Sequence, residues 1–324
     1  MPGPFRLAAH AAAALALAVA PALAQNYPNR PIRIVVPYGP GSAPDVIART
    51  VAGEISPRLG QPVVVENRLG AGGKIGTETA ARAGADGYTL LLGSKDTHGV
   101  MQHLYPGWDI DPVKDFTPVS LLIRIQNSIV ANPGLEADDL KGLIALAKAE
   151  SVNYGTPGVG TNLHLFAETL QLTYGLKFTH VPYKAFAEIL PATMRGDVGF
   201  AVLGVPPVTP LVRDGRVKAL GVTGKARSPH LPGVPTFAEQ GVPGFEDGGW
   251  FALFAPGGTP PEAIRRLNGE IVAMGQRPSY RERVAKMFAE PATGTPEELA
   301  ALVTAETARW GEVVRKAGIR IQPN

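Results

Sequence analysis

The sequence PIRIVVPYGPGSAPDVIARTVAGEISPRLGQPVVVEN, residues 31–67, contains the pattern that decides the fold. Residues 31–37 form a β-rich run bounded by prolines, which predicts a short strand. After a turn that contains glycine, the apolar residues between 46 and 59 recur at helical spacing. Residues 62–66 then predict a second strand. Strand, helix and strand in this order are typical of a parallel sheet with crossover helices.

The same alternation continues along the chain in two units. A predicted helix at 77–83 and a predicted strand at 88–93 complete the first unit. The second unit begins after Pro133, with predicted helices at 137–150, 162–174 and 186–195 and predicted strands at 152–155, 178–181, 198–203 and 217–222. Segments 119–131 and 245–255 are predicted to cross between the units, and helices are predicted at 261–275, 279–288 and 295–317. We therefore expect two α/β lobes joined by crossing strands, with lobe 1 made of residues 25–125 and 247–324 and lobe 2 of residues 126–246.

The first 24 residues have the layout of a secretory signal peptide. Arg6 gives a positive start, Ala11–Ala20 is an unbroken apolar run, and Ala22-Leu23-Ala24 supplies small residues for cleavage before Gln25. The alternative is a membrane anchor, but the run has about half the length that a bilayer span requires. The sequence predicts a chain that is exported, cleaved near Ala24 and Gln25, and located in the periplasm.

Composition and charge exclude several classes of function. The chain has 324 residues, with 31 Lys and Arg against 28 Asp and Glu. Removal of the leader takes away Arg6, and the small basic surplus that remains includes no run of four basic residues, so nucleic-acid binding is not expected. The sequence has no Cys, which excludes Cys nucleophiles, Cys-ligated zinc and iron–sulfur clusters.

Sequence motifs for catalysis and cofactor binding are also missing. Residues 70–76, GAGGKIG, fail the dinucleotide pattern at Ile75 and fail the P-loop pattern because neither Ser nor Thr follows Lys74, so a turn beside a lobe surface is expected. There is no Gly-x-Ser-x-Gly elbow and no His-Glu-x-x-His motif. The six His lack metal-ligand spacing. We predict no cofactor, no metal and no enzymatic activity.

Four segments, two of which overlap residues 31–67, lie in order along the mature chain and are specific in combination. They are YPNRPIRIVVP at 27–37; GQPVVVENR at 60–68, continuing through GAGG at 70–73 to DGYTL at 86–90; HVPYK at 180–184; and LPGVPT at 231–236, continuing to FALFAP at 251–256. Together they resemble the Bug or TctC family of extracytoplasmic solute receptors, the binding components of tripartite tricarboxylate transporters.

The resemblance implies a type II periplasmic-binding-protein fold, in which two α/β lobes enclose the ligand in a cleft. It also implies a small organic acid as ligand, because known family ligands are mostly carboxylates, and the membrane subunits of the transporter as partners. We expect a monomer. Two alternatives remain: a periplasmic binding protein that feeds a sensor system, and a secreted α/β hydrolase.

Turns at the carboxyl ends of predicted strands indicate the ligand site. Ligands of open α/β sheets collect outside these ends, and a helix that begins there offers free backbone N–H groups and a favourable dipole to an anion. We expect backbone N–H groups of residues 39–42 in one lobe and 160–162 in the other to hold a carboxylate. The candidate ligand-binding residues are Tyr38, Gly39, Gly41, Ser42, Ser94, Asp96, Thr97, Thr156, Gly160, Thr161, Asn162, His164 and Val205.

Several candidates have competing structural interpretations. Ser42 and Asp45 have the spacing of a capping box, in which Ser42 bonds the third helical N–H and Asp45 reaches back. The family usually has Gly at 42, Ser at 43 and a small or hydroxyl residue at 44, so Ala43 and Pro44 remove a hydroxyl and an N–H donor. His164 is either packed in the lobe or a ligand contact.

Charge near the cleft is a second open question. Lys95 and Asp96 occupy positions where the family commonly has small neutral residues. Both side chains point to solvent, or Asp96 pairs with an amino group of the ligand, or Lys95 pairs with a second carboxylate. The apolar loop predicted at 203–207 has Leu203 where the family often has Asp, which favours a less cationic or more apolar ligand and opposes the amino-group interpretation of Asp96.

Overall fold

The computed structural model describes residues 27–183, 186–246 and 248–321, which form two α/β lobes. The predicted signal peptide and its cleavage site lie outside these residues. The strands of lobe 1 are β1 (Ile32–Val36), β2 (Val63–Asn67), β3 (Thr89–Ser94), β4 (Phe116–Ile125), β10 (Gly249–Pro256) and β11 (Glu290–Pro291), in the spatial order β11-β4-β10-β3-β1-β2. Those of lobe 2 are β5 (Asn127–Ala131), β6 (Val152–Thr156), β7 (Phe178–Pro182), β8 (Phe200–Gly204) and β9 (Lys218–Val222), in the order β7-β6-β8-β5-β9.

Helices cover the sheets of both lobes. In chain order they are α1 (Ala43–Leu59), α2 (Lys74–Ala81), α3 (Met101–Leu104), α4 (Leu140–Ala149), α5 (Asn162–Tyr174), α6 (Phe186–Arg195), α7 (Val205–Arg213), α8 (Pro261–Gly275), α9 (Pro278–Lys286) and α10 (Pro296–Ala317). None of the helices within residues 27–183, 186–246 and 248–321 combines the length and apolar character that a bilayer span requires.

The predicted parallel units are confirmed in both lobes. In lobe 1, β1 pairs in parallel with β2 and β3, and Ile34 lies beside Val65 and Leu90. The helical apolar stripe that includes Ile47 and Ile55 packs on this sheet in one buried cluster. In lobe 2, β6 pairs in parallel with β7 and β8. The carboxyl ends of these parallel strands carry the turns that were predicted to form the site.

The strands that cross between the lobes are antiparallel to their neighbours, and the first crossing is not continuous. A single strand was expected over 119–131, but β4 and β5 belong to different sheets and are separated by Gln126. The Gln126 side-chain amide donates to Thr223 O and Ala226 O at 2.7 and 2.9 Å. At the second crossing, a Cβ on Gly248 would lie 2.0 Å from Ile125 O, so only glycine allows the two crossing segments to approach so closely.

The lobes also contact each other away from the crossing strands. Leu165 of α5 in lobe 2 is fully buried against Trp310 and Val313 of α10, which belongs to lobe 1. Arg309 donates to Gly244 O at 2.6 Å. These contacts hold the two sheets so that the ends of their parallel strands face one another.

Candidate functional site

A cavity of about 330 Å³ lies between the lobes at the ends of the parallel strands. Its lobe 1 wall comes from the turn after β1, the glycine turn after β2 and the segment from Asp96 to Tyr105. Lobe 2 contributes residues 159–161, and Ile321 closes the cavity from the C-terminal segment. The volume suits a small organic molecule.

The turn between β1 and α1 differs from the predicted capping box. Ser42 makes no side-chain cap; its hydroxyl donates to Gly39 O at 2.6 Å. Asp45 accepts from Gly41 N at 2.9 Å instead of reaching back to Ser42 N, which donates to Gly39 O at 3.2 Å. The capping-box prediction is wrong, and the Gly41 and Ser42 amides that were expected to hold an anion have acceptors inside the protein.

Asp45 acts as a buried anchor for this turn. Its carboxylate accepts from Arg49 Nε at 3.0 Å and from Asn67 Nδ2 at 2.9 Å. Burial acts to raise the pKa of Asp45, but the hydrogen bonds from Arg49, Gly41 and Asn67 outweigh it and lower the pKa to about 2. The ionised carboxylate therefore ties the turn after β1 to the end of β2.

The segment after β3 is a single π-helical turn, Asp96–Val100, and not an open loop. Ser94 N donates to Thr97 Oγ1 at 2.9 Å, and Ser94 Oγ lies 2.7 Å from the Tyr38 hydroxyl. Burial, together with the nearby Asp96, raises the pKa of the Tyr38 hydroxyl above its usual range. Ser94 and Thr97 are buried supports of the turn, whereas Tyr38 lines the cavity.

Lys95 neither points to solvent nor faces the cavity. Its ammonium lies 3.1 Å from Glu306 Oε1 of α10 and 5.4 Å from the centre of the Trp310 ring. The side chains of Lys95 and Glu306 are 2% and 4% exposed. Both interpretations of Lys95 from sequence are wrong, because the residue forms a buried ion pair within lobe 1.

Asp96 faces the cavity and contacts the opposite lobe. Its Oδ1 accepts from Asn162 N at 2.7 Å and from Asn162 Nδ2 at 3.0 Å. Asn162 N is the first N–H group of the 13-residue helix α5. Burial raises the pKa of Asp96, and the hydrogen bonds from Asn162 and the charge of Lys95 offset it in part. A carboxylate therefore sits at the start of α5, and it belongs to the protein.

The turn before α5 is held from within lobe 2. Thr161 caps the helix by accepting from His164 N at 3.2 Å. Gly160 has a positive φ of 81°, and its N–H donates to His164 Nδ1 at 3.1 Å. Thr156 Oγ1 lies 2.6 Å from His180 Nε2. His164 is 4% exposed and supports the turn from behind, as its packing interpretation predicts.

The two histidines behind this turn form a stack with ring centres 4.0 Å apart. Burial, and then the neighbouring His180, lower the pKa of His164 to about 3. Burial lowers the pKa of His180 to about 4. Both rings are neutral at physiological pH, which is the state in which His164 Nδ1 can accept from Gly160.

The cavity brings together five of the predicted residues: Tyr38, Gly39, Asp96, Gly160 and Thr161. Asn162 reaches it through Asp96. The predicted residues Gly41, Ser42, Ser94, Thr97, Thr156 and His164 instead support its turns. Val205 lies in the apolar core of lobe 2 and donates its N–H to Gln126 O at 2.8 Å, so it was assigned to the site wrongly. The loop predicted at 203–207 is the start of α7, with Leu203 also in that core.

Sequence reasoning missed the apolar and glycine residues of the cavity wall. These are Pro37, Leu69, Gly70, Gly72, Gly73, Met101, Leu104, Tyr105, Val159 and Ile321. The glycines were placed beside a lobe surface, although they follow β2, the neighbour of β1, where the strand-end rule applies equally. The N–H groups of Gly70 and Gly72, like that of the predicted Gly39, donate to no acceptor within the described parts of the chain.

A second cavity, of about 360 Å³, lies within lobe 1 beside Arg124 and the start of α10. The helix start there has its own capping box, in which Glu298 N donates to Thr295 Oγ1 and Thr295 N to Glu298 Oε2. These donors are satisfied, and the cavity is remote from the ends of the parallel strands. The cavity between the lobes is therefore the better candidate. Across the described residues, no group of three His, Asp or Glu could hold a metal ion.

Comparisons with known proteins agree with this geometry. The tripartite tricarboxylate transporter family receptor, TctC, matches residues 47–319. The chain is 39% identical to Protein BugT of Bordetella pertussis over 306 residues, 94% of each chain. Rpa4515 of R. palustris with adipate is 34% identical, with a TM-score of 0.79 over 91% of this chain and 100% of that one. MatC from Rhodopseudomonas palustris with bound malate is 33% identical, with a TM-score of 0.76 over 89% of this chain and 100% of that one.

These neighbours confirm the predicted fold class, two α/β lobes of the periplasmic-binding type. The matched region covers most of the chain and includes every turn that lines the cavity except those before residue 47 and at Ile321. The chain therefore belongs to the TctC family of periplasmic solute-binding receptors for tripartite tricarboxylate transporters.

Proposed function

We propose that this protein captures a small organic acid by its carboxylate in the cavity between the lobes and delivers it unchanged to a tripartite tricarboxylate transporter. The observation that carries the proposal is the lobe 1 wall, where Gly39, Gly70 and Gly72 line the cavity and their N–H groups have no protein acceptor in the described chain. A carboxylate is a small anion that backbone N–H donors without a protein acceptor suit. The relatives with adipate and malate support this ligand class.

The geometry favours binding over catalysis. A hydrolase needs a nucleophile within hydrogen-bond reach of a base. Ser94, which lies behind the cavity, is instead bonded to Tyr38 and Thr97. Thr156 lies 2.6 Å from His180 Nε2, but it is fully buried and does not line the cavity. We therefore assign no enzymatic activity, and we expect incubation of a bound acid with the protein to return it chemically unchanged. Release of a hydrolysis product would support the hydrolase alternative.

The route to the periplasm and the lobe limits form part of the same proposal. The exported chain should begin at or near Gln25 and act as a monomer, and intact mass together with light scattering would test both. Lobe 1 is assigned residues 25–125 and 247–324, and lobe 2 residues 126–246. The position of Gln126 between sheets supports these limits and makes the crossing segments the natural hinge.

A thermal-shift screen against a library of organic acids tests the function directly. An acid present at a hundred times its dissociation constant should add about 2.7 kcal/mol of stability, or about 5 °C in a chain of this length. The matched variants are Gly160→Ala and Gly158→Ala, because both positions have positive φ. A Cβ at Gly160 would lie 2.5 Å from Leu104 Cδ1 across the cavity, whereas one at Gly158 would meet nothing. Gly160→Ala should reduce the acid-induced shift, because Leu104 has to move to make room beside the cavity, and Gly158→Ala should keep it.

A further inference from the structure

Asp96 is the one charged residue among the described residues that line the cavity. Apolar side chains make up much of the remaining wall, including Leu69, Met101, Leu104 and Val159. A single carboxylate in such surroundings has a large effect on the ligand, because charge interactions are strong where water is scarce.

Asp96 already occupies the anion position of lobe 2. Its carboxylate accepts both donors of Asn162, at the start of α5. The preceding N–H groups are also engaged, since Gly160 N donates to His164 Nδ1 and Thr161 N to Gly158 O. Lobe 2 therefore retains few backbone donors for an anion from the ligand.

Among the described residues that line the cavity, no cation faces Asp96, although the charge of the adjacent Lys95 acts on it in part from behind the wall. Lys95, the next residue, has its ammonium in the buried ion pair with Glu306. The Tyr38 hydroxyl is bonded to Ser94. The N–H groups without a protein acceptor in the described chain are those of Gly39, Gly70 and Gly72, in the turns after β1 and β2. The cavity thus combines N–H donors that suit one carboxylate with a carboxylate of the protein that repels a second one.

From this arrangement we propose that Asp96 is a specificity-determining residue that rejects a second carboxylate on the ligand. The inference rests on the proposed function. The receptor takes acids with a single carboxylate, and among them it favours those that carry an ammonium group at the far end. In this respect it departs from the relatives with adipate and malate, which are dicarboxylates.

Thermal shift and calorimetry at neutral pH, with matched ligand trios, test the assignment. Each trio has one chain length and differs at the far end only: hexanoate, 6-aminohexanoate and adipate, with the equivalent sets of four and eight carbons. The wild type should bind the amino acid most tightly and the diacid at least about tenfold more weakly than the amino acid. Asp96→Asn retains an acceptor for Asn162 N, and it should remove the preference for the amino acid and improve diacid binding about tenfold or more. Asp109→Asn, the same charge change at an exposed site of lobe 1, should behave as wild type.

The outcomes separate the two proposals. If no acid of any trio stabilises either the wild type or Asp96→Asn, the proposed function fails. If acids bind but the wild type accepts diacids as tightly as the matched amino acids, the specificity role of Asp96 is overturned while the function stands. The specificity role is equally overturned if a folded Asp96→Asn variant has the same ratio of amino-acid to diacid affinity as the wild type. The order in which the wild type binds the three acids of each trio tests the specificity role even if that variant does not fold.

Discussion

Replacing Lys95 by methionine should destabilise the protein strongly and leave ligand affinity almost unchanged. The Lys95–Glu306 pair is 3.1 Å apart, and its side chains are 2% and 4% exposed. Methionine keeps the length of the side chain but leaves the Glu306 carboxylate buried without its cation, while the Trp310 indole N–H still donates to it. Breaking a buried ion pair by removing one partner costs about 3–5 kcal/mol. At about 2 °C per kcal/mol, the thermal midpoint should fall by about 6–10 °C.

A double variant distinguishes charge from packing. Lys95→Met combined with Glu306→Gln leaves no buried charge, and glutamine can still accept from Trp310. The double variant should recover to within about 2 kcal/mol of wild type, because replacing both partners avoids the uncompensated charge. Lys114→Met, at a lysine whose side chain is 82% exposed, is the matched control and should change stability by less than about 1 kcal/mol.

The assay is thermal unfolding of the four proteins together with calorimetry on an acid found in the screen. A fall of less than about 2 °C for Lys95→Met would refute the ion-pair reasoning. A tenfold or larger loss of affinity would show that Lys95 supplies a charge-assisted bond to the ligand, which corresponds to about 1.4 kcal/mol or more.

Three further predictions concern the supports of the site. Thr161→Ala removes the side-chain N-cap of α5 and should lower the free energy of unfolding, measured by chemical denaturation, by about 1 kcal/mol. Ser42→Ala, at a helix start without a side-chain cap, should lower it by less. Asp45→Asn should lower the free energy of unfolding by about 2 kcal/mol at pH 7. Because the pKa of Asp45 is depressed in the folded state, this contribution is present above pH about 4 and is lost as pH falls toward about 2. A difference in unfolding free energy between variant and wild type that stays constant across that range would contradict this. The pKa values of His164 and His180 are depressed in the folded state, so stability is full above pH about 6.5 and declines below it, where protonation favours the unfolded chain. His164→Asn should make the thermal midpoint depend less on pH between pH 7 and pH 4. An unchanged dependence would count against this origin.

Local signals predicted most of the helices and strands. The helices at 162–174, 186–195 and 261–275 coincide with their predicted limits, because apolar periodicity and end signals agree there; Gly175, for example, ends α5 with a φ of 63°. The start of α7 was missed because Pro206 and Pro207 resemble a loop, yet proline is compatible with the first turn of a helix. The break at Gln126 was also missed, since its acceptors lie in a distant segment.

The site was predicted in position but not in its contacts. Strand ends followed by helix starts located the cavity, because that rule depends on chain order alone. Which donors remain free depends on partners far apart in sequence, such as Glu306 for Lys95 and Asn162 for Asp96. The contribution of Ile321 to the cavity had no signal in the sequence, because it depends on how α10 packs across the lobes.

A crystal structure with the tightest-binding acid of the screen tests the central claim most directly. We predict that the acid lies in the cavity between the lobes. Its carboxylate oxygens should be about 2.7–3.2 Å from backbone N atoms of Gly39, Gly70 or Gly72, which is hydrogen-bond distance. An acid bound instead in the lobe 1 cavity beside Arg124, or one whose carboxylate leaves all three of these N–H groups unbonded, would contradict the account.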